Sequence, residues 1–250
     1  MNKGFVIITG AAGGIGQAFV NEFANAGYGI IGIIHKNKPA APQNQNVHYI
    51  TCNLAQTTQD TEYAAKIFAQ IRAVFNQNGL KGLVNNAATQ ILGGVDSLTR
   101  KDWQETLNVN LLAPFLWSQA FLQELETSQG SIINISSIHA RLTKKNFVAY
   151  ATSKAALSGM TRAMAIDLQG KVRVNAIEPA AIETEMLKAG FSGKPELYSK
   201  LEACHPQQRI GRPEEVATLC LSLIDSKLDF IHGATISIDG GISGQLHDPD

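Results

Sequence analysis

The feature that most limits how this chain can fold is an end-to-end alternation of short apolar runs with segments of helical periodicity. The runs are GFVIIT (4–9), GIIGIIH (29–35), VHYITCNL (47–54), GLVNNAA (82–88), SIINISS (131–137), VRVNAIEP (172–179) and ATISID (234–239). Between them, Ile15, Ala18, Phe19, Phe23 and Ala26 recur at helical spacing and Gly27 closes that segment. Tyr63, Ile67, Ile71 and Val74 mark one face of another helix. Residues 99–126 and 149–168 read as two long helices, and Pro213 with Glu214 and Glu215 opens a further one. Strands that are apolar throughout, separated by helices, are buried on both faces. The expectation is an α/β protein with about seven parallel strands, doubly wound with helices on both sides. No internal repeat or break in composition divides residues 1–250, so one domain is expected. KNKPAAPQNQN (36–46) reads as a surface loop.

Composition narrows the function. Apolar residues make up 44% of the 250, enough for a large core. Lysine plus arginine equals aspartate plus glutamate at 21 each, so no basic excess points to nucleic acid or an anionic membrane. Three widely separated cysteines suit a reducing compartment better than a disulfide framework. No histidine or cysteine cluster has metal-ligand spacing, and no metal is expected. Neither a secretory leader nor a membrane-length apolar run is visible, so the expected location is the cytoplasm.

Two short patterns carry chemistry. TGAAGGIG (9–16) joins the first strand to the first helix. Glycines let the backbone turn and approach a ligand, and the helix amino terminus offers N–H groups to a phosphate. The loop fits TGxxxGxG through Gly10, Gly14 and Gly16, and equally TGxxGxxG through Gly10, Gly13 and Gly16. Further on, AYATSK places Tyr150 and Lys154 four residues apart, on one helical face. A cation about 4 Å from a phenol, at an effective dielectric of about 20, would favour the phenolate by about 4 kcal/mol, roughly three pKa units. That would bring an ordinary tyrosine toward the range general acid–base catalysis needs.

With these pieces in order, the chain resembles the short-chain dehydrogenase/reductase family over essentially its whole length, in its short single-domain branch with a Rossmann-like fold. NNAA (85–88), NVNLLAPF (108–115), INISS (133–137), YATSK (150–154), RVNAIEPAAIET (173–184) and DGG (239–241) are similar to that family's successive motifs. The resemblance implies a catalytic set of Asn110, Ser137, Tyr150 and Lys154. Tyr150 would exchange a proton with the substrate oxygen while hydride moves to or from nicotinamide. Lys154 would lower the Tyr150 pKa and bind the nicotinamide ribose, Ser137 would hydrogen-bond the substrate oxygen, and Asn110 would hold a water linking Lys154 to solvent. It also implies a cofactor site of Gly10, Gly14, Ile15, Gly16, His35, Lys36, Asn53, Leu54, Asn86, Ala87, Tyr150, Lys154, Pro179, Ile182 and Thr184. Ala88 and Ala180 stand where the family usually has glycine.

The second strand ends without an acid to hold ribose hydroxyls; Ile34 takes that place and His35 and Lys36 follow. NADP is therefore the expected cofactor, with NAD as the alternative; Gly13 counts against NADP, because many NADP-binding members place a basic residue there. The expected substrate is a small carbonyl compound or alcohol, walled by residues 138–148 and 185–208, the latter expected as a mobile lid. Arg141, Lys144 and Lys145 make the first wall basic. A β-ketoacyl carrier-protein reductase is one alternative, weakened by the short turn Gln169-Gly170-Lys171. A non-catalytic NAD(P)-binding sensor is another, although sensors of this fold lose the tyrosine or lysine kept here. Both long helices are apolar on more than one side, so a homotetramer packed through them is expected, with a dimer as the alternative.

Overall fold

A computed structural model describes residues 3–36, 39, 46–75, 78–225 and 228–246. Seven strands form one sheet: β1 (Phe5–Thr9), β2 (Gly29–Ile34), β3 (Val47–Thr51), β4 (Leu80–Asn85), β5 (Ser131–Ile135), β6 (Arg173–Pro179) and β7 (Thr235–Ile238). Their order is β3-β2-β1-β4-β5-β6-β7, and every adjacent pair is parallel. The chain winds outward from β1 in one direction, then restarts at β4 on the other side. Where the direction reverses, the carboxyl ends of β1 and β4 open a crevice suited to a ligand.

The helices are α1 (Gly14–Asn25), α2 (Leu54–Thr57), α3 (Thr61–Phe75), α4 (Arg100–Leu107), α5 (Ala113–Ala120), α6 (Leu122–Thr127), α7 (Val148–Leu168), α8 (Glu185–Gly190), α9 (Pro195–Ala203) and α10 (Pro213–Ile224). Continuous apolarity along β1 follows from two cores. Val6 and Ile8 meet Phe19 and Phe23 of α1 and Val216 and Leu223 of α10. Phe5 and Ile7 turn to the opposite face, against Ile67 and Ile71 of α3 and Trp117 and Phe121 at the end of α5.

Two expectations need correction. Residues 99–126 are not one helix: α4, a π turn (Asn108–Leu112), α5 and α6 follow in succession. Pro114 lacks an N–H, so an unbroken α ladder cannot pass this point. The 185–208 segment is likewise built largely as α8 and α9, each with an acid in its first turn, rather than as irregular loop. Of the surface loop expected at 36–46, residues 37, 38 and 40–45 lie outside the described residues.

Candidate active site

The glycine loop resolves an ambiguity that spacing left open. Gly10 has φ +67°, and a Cβ there would lie 2.9 Å from the Ala87 backbone. A Cβ on Gly16 would fall 2.1 Å from the Gly10 carbonyl oxygen, and one on Gly14 would meet the Thr184 methyl at 2.9 Å. Gly13 has φ −76°, and its added Cβ would make only one ordinary contact, at 3.5 Å. Glycine is thus demanded at positions 10, 14 and 16, the TGxxxGxG spacing, and merely tolerated at 13. No side chain caps the amino terminus of α1, so its leading amides stay available to a phosphate. Thr9 Oγ1 accepts the amides of Asn86 (2.9 Å) and Ala87 (3.0 Å), and Asn86 Nδ2 donates to the Thr9 and Gly10 carbonyls. The exit loop of β4 is thereby held against the glycine loop across the crevice.

Ser137 follows β5, and Tyr150 and Lys154 lie on the first two turns of α7. Ser137 stands close enough to the Tyr150 phenol to favour its ionised form. The Ser137 hydroxyl oxygen also accepts the His139 amide at 3.2 Å, capping a short 3-10 turn (Ile138–Ala140). Lys154 is 2% exposed; its ammonium donates to the Ile135 carbonyl at 2.7 Å and sits 5.7 Å from the centre of the Tyr150 ring. Burial pushes this lysine down to about 8. Desolvation raises Tyr150 above the usual tyrosine value, and Ser137 opposes that rise only in part. The lowering of the phenol expected from its lysine neighbour does not prevail: burial keeps Tyr150 neutral, while Lys154 stays a cation at neutral pH.

Asn110 lies in the π turn and is fully buried. Its Oδ1 accepts the Thr89 amide (2.8 Å), while Nδ2 donates to the Thr89 carbonyl (2.9 Å) and to Ser153 Oγ (3.0 Å). Ser153 in turn donates to the Tyr150 carbonyl at 2.7 Å. One amide thus joins the β4 exit loop to α7, with its oxygen and both N–H groups engaged. Its own carbonyl has no i+4 donor, because position 114 is proline. The neighbouring Asn108 is occupied within its helix, accepting from Gln104 at 2.8 Å.

The other expected positions ring the crevice. His35 and Lys36 are exposed beyond β2, and Asn53 caps α2, whose first residue is Leu54. Pro179 ends β6, Ile182 is buried and bridges Gly211, and Thr184 caps α8, accepting the Leu187 amide at 3.2 Å. Ala88 and Ala180 are not among the residues with positive φ, so neither turn needs the family's glycine. The basic loop is less free than its composition suggests: Arg141 is paired with Glu178 at 2.9 Å, and Lys144 lies 4.9 Å over the Phe147 ring. Residues that pattern reading missed are Ser153, Ser158 and Glu178. Ser158 continues the four-residue spacing of Tyr150 and Lys154, and Glu178 is an acid inside an apolar strand; these were the available signals.

A family model described as enoyl-(acyl carrier protein) reductase matches residues 10–243. The chain belongs to the short-chain dehydrogenase/reductase family. Among relatives of this dehydrogenase/reductase, an NAD-dependent glycerol dehydrogenase of Listeria innocua is 31% identical over 239 residues, covering 94% of this chain and 92% of the relative. The ligand-free aldohexose dehydrogenase of Thermoplasma acidophilum superposes with a TM-score of 0.91 at 29% identity, over 100% of this chain and 97% of that one. ElxO with NADP bound gives 0.87 at 26% identity, over 97% and 100%. The chain is an oxidoreductase of this family with a nicotinamide-binding Rossmann fold. No helix among the described residues is long and apolar enough to cross a membrane.

Proposed function

We propose that this enzyme is an NADP(H)-dependent oxidoreductase acting on a carbonyl compound or secondary alcohol, with Tyr150 as general acid and base. The observation that carries the reading is the meeting of Ser137, Tyr150 and a buried Lys154, whose ammonium lies 5.7 Å from the centre of the Tyr150 ring. The residues fit a dinucleotide: the uncapped start of α1 offers amides to its phosphates, and glycine at 10, 14 and 16 lets the loop leading there pack tightly against itself, Ala87 and Thr184, a cradle no side chain obstructs. Ile15, Asn86 and Ala87 border that cradle, Asn53 and Leu54 stand at the adenine end, and Pro179, Ile182 and Thr184 at the nicotinamide end. His35 and Lys36, with no acid beside them, favour the extra phosphate of NADP; the relatives' names include both cofactors.

Nicotinamide, when bound, supplies or accepts the hydride. Tyr150, kept protonated by burial, donates its proton to the substrate oxygen in the reducing direction. Ser137 hydrogen-bonds that oxygen and stabilises the charge developing on it. Lys154, a cation at neutral pH, offsets negative charge on the phenol and hydrogen-bonds the cofactor ribose. Asn110 holds α7 in place and offers its carbonyl, which has no donor at position 114, to a water linking Lys154 to solvent.

The chain works as one domain in a homotetramer, with a dimer as the alternative. Leu112, Phe115 and Ile166, large and 40%, 42% and 80% exposed, mark the helix faces a second subunit would cover. Cysteines that are all unpaired suit the cytoplasm. Fluorescence titration with NADPH and NADH is the first test: tighter NADPH binding supports the assignment, and tighter NADH binding reverses it. A panel of sugars, polyols, simple ketones and 3-ketoacyl thioesters then identifies the substrate class. Tight cofactor binding without turnover across the panel would instead identify a sensor.

A further inference from the structure

Glu178 is the penultimate residue of β6, immediately before Pro179, and is 1% exposed. A carboxylate this far from water is costly unless both oxygens are engaged. Here Oε1 accepts from Ser158 Oγ at 2.8 Å, and Oε2 accepts from Arg141 Nε at 2.9 Å. Ser158 lies one turn beyond Lys154 on α7. Its hydroxyl is also 2.8 Å from that of Ser136, which in turn reaches the Lys154 carbonyl at 3.0 Å. Arg141 continues to Ser237 on β7, and the Ser136 amide donates to the Ile177 carbonyl at 2.8 Å. The arm carrying Ser137 is therefore gripped behind, at Ser136, and ahead, at Arg141. Both grips converge on one carboxylate, which also holds the helix bearing Tyr150 and Lys154.

We propose that Glu178 is a positioning residue, setting the distance between the Ser137 arm and the Tyr150–Lys154 face of α7 through Arg141 and Ser158. An apolar residue at 178 could fill the space but could not direct two donors from two separate elements. Glu178 meets neither substrate nor cofactor; it acts through the placement of Ser137 against Tyr150. The proposal rests on the catalytic reading above, and its test includes a readout that needs no turnover.

The variants are Glu178→Gln, Arg141→Met, Arg141→Lys, Ser158→Ala and the double Glu178→Gln/Arg141→Met. Arg141→Met leaves a Glu178 oxygen unpaired, so Arg141→Lys, which keeps a cation there, and the double variant, which removes the charge as well, separate lost positioning from lost folding. Glu178→Gln and Arg141→Met are each expected to lower kcat by on the order of tenfold with NADPH affinity unchanged, the double variant being no worse than the weaker single. Arg141→Lys is expected to recover part of the loss. In protein labelled with 13C at tyrosine Cζ, the Tyr150 resonance, assigned with Tyr150→Phe, is expected to move in Glu178→Gln, Arg141→Met and Ser158→Ala. An unmoved resonance with unchanged kcat in Arg141→Met and Ser158→Ala would overturn the proposal. So would a loss in Glu178→Gln that merely tracks its folded fraction. If the wild type turns over nothing in the panel, the catalytic reading falls, while the resonance still decides whether Glu178 sets the geometry.

Discussion

Two long helical segments line the candidate site, and they are built differently. Val148–Leu168 is one unbroken helix of 21 residues; the segment from Arg100 to Thr127 is broken at a π turn and again at Phe121. The unbroken helix keeps Tyr150 and Lys154 in a fixed relation, because four residues always return to the same face. The broken one gives up regularity where Asn110 projects its amide toward Thr89 and Ser153 and leaves its carbonyl without the usual donor. Continuity holds two groups in register, while a local break frees backbone and side chain for a role between elements.

Four experiments challenge this contrast. Tyr150→Phe removes the proton-bearing atom from the regular helix and leaves its backbone intact; kcat is expected to fall on the order of 10²- to 10⁴-fold, with NADPH titration unchanged. Lys154→Met tests what the regular helix tolerates. The folded-state pKa of Lys154, about 8, lies below the ordinary 10.5, so the unfolded chain binds the proton more tightly. Wild-type stability should therefore rise relative to Lys154→Met as pH climbs through that window, by up to about 3 kcal/mol, read from unfolding at neutral and alkaline pH. A gap that stays constant with pH would mean the lysine is not desolvated as described. Asn110→Ala cuts the link made at the irregular turn and leaves part-buried groups at Thr89 without these partners, costing about 1–3 kcal/mol in urea unfolding. Pro114→Ala has the smallest expected effect. It returns an N–H beneath the Asn110 carbonyl, so hydrogen exchange should show a new protected amide at 114 while kcat falls less than about tenfold. An unprotected amide there would show that the turn has another cause.

The fold was legible because its signal is redundant. Every apolar run chosen as a strand entered the sheet, since strands covered on both faces, such as β1 and β2, read as nearly continuous apolar runs. The break in residues 99–126 was hidden, because its apolar residues face both the sheet side and the surface and blur any period. Within the site, Tyr150 and Lys154 could be read from spacing, as helical geometry alone brings them together. Asn110 could not be separated from Asn108 by spacing; only the positions of Thr89 and Ser153 do that. The phenol's direction of shift was misjudged because Coulomb attraction between neighbours can be estimated from sequence, while the desolvation opposing it depends on everything packed around them.

By itself the sequence determined the layered parallel sheet, the glycine turn after β1 and the pairing of a phenol with an amine, all consequences of short-range periodicity. Tertiary structure alone decided which glycines are obligatory, how deeply Lys154 is withdrawn from water, and that Glu178 meets Arg141 and Ser158 from two other elements. Those outcomes depend on distances between segments far apart in the chain, which no local pattern encodes.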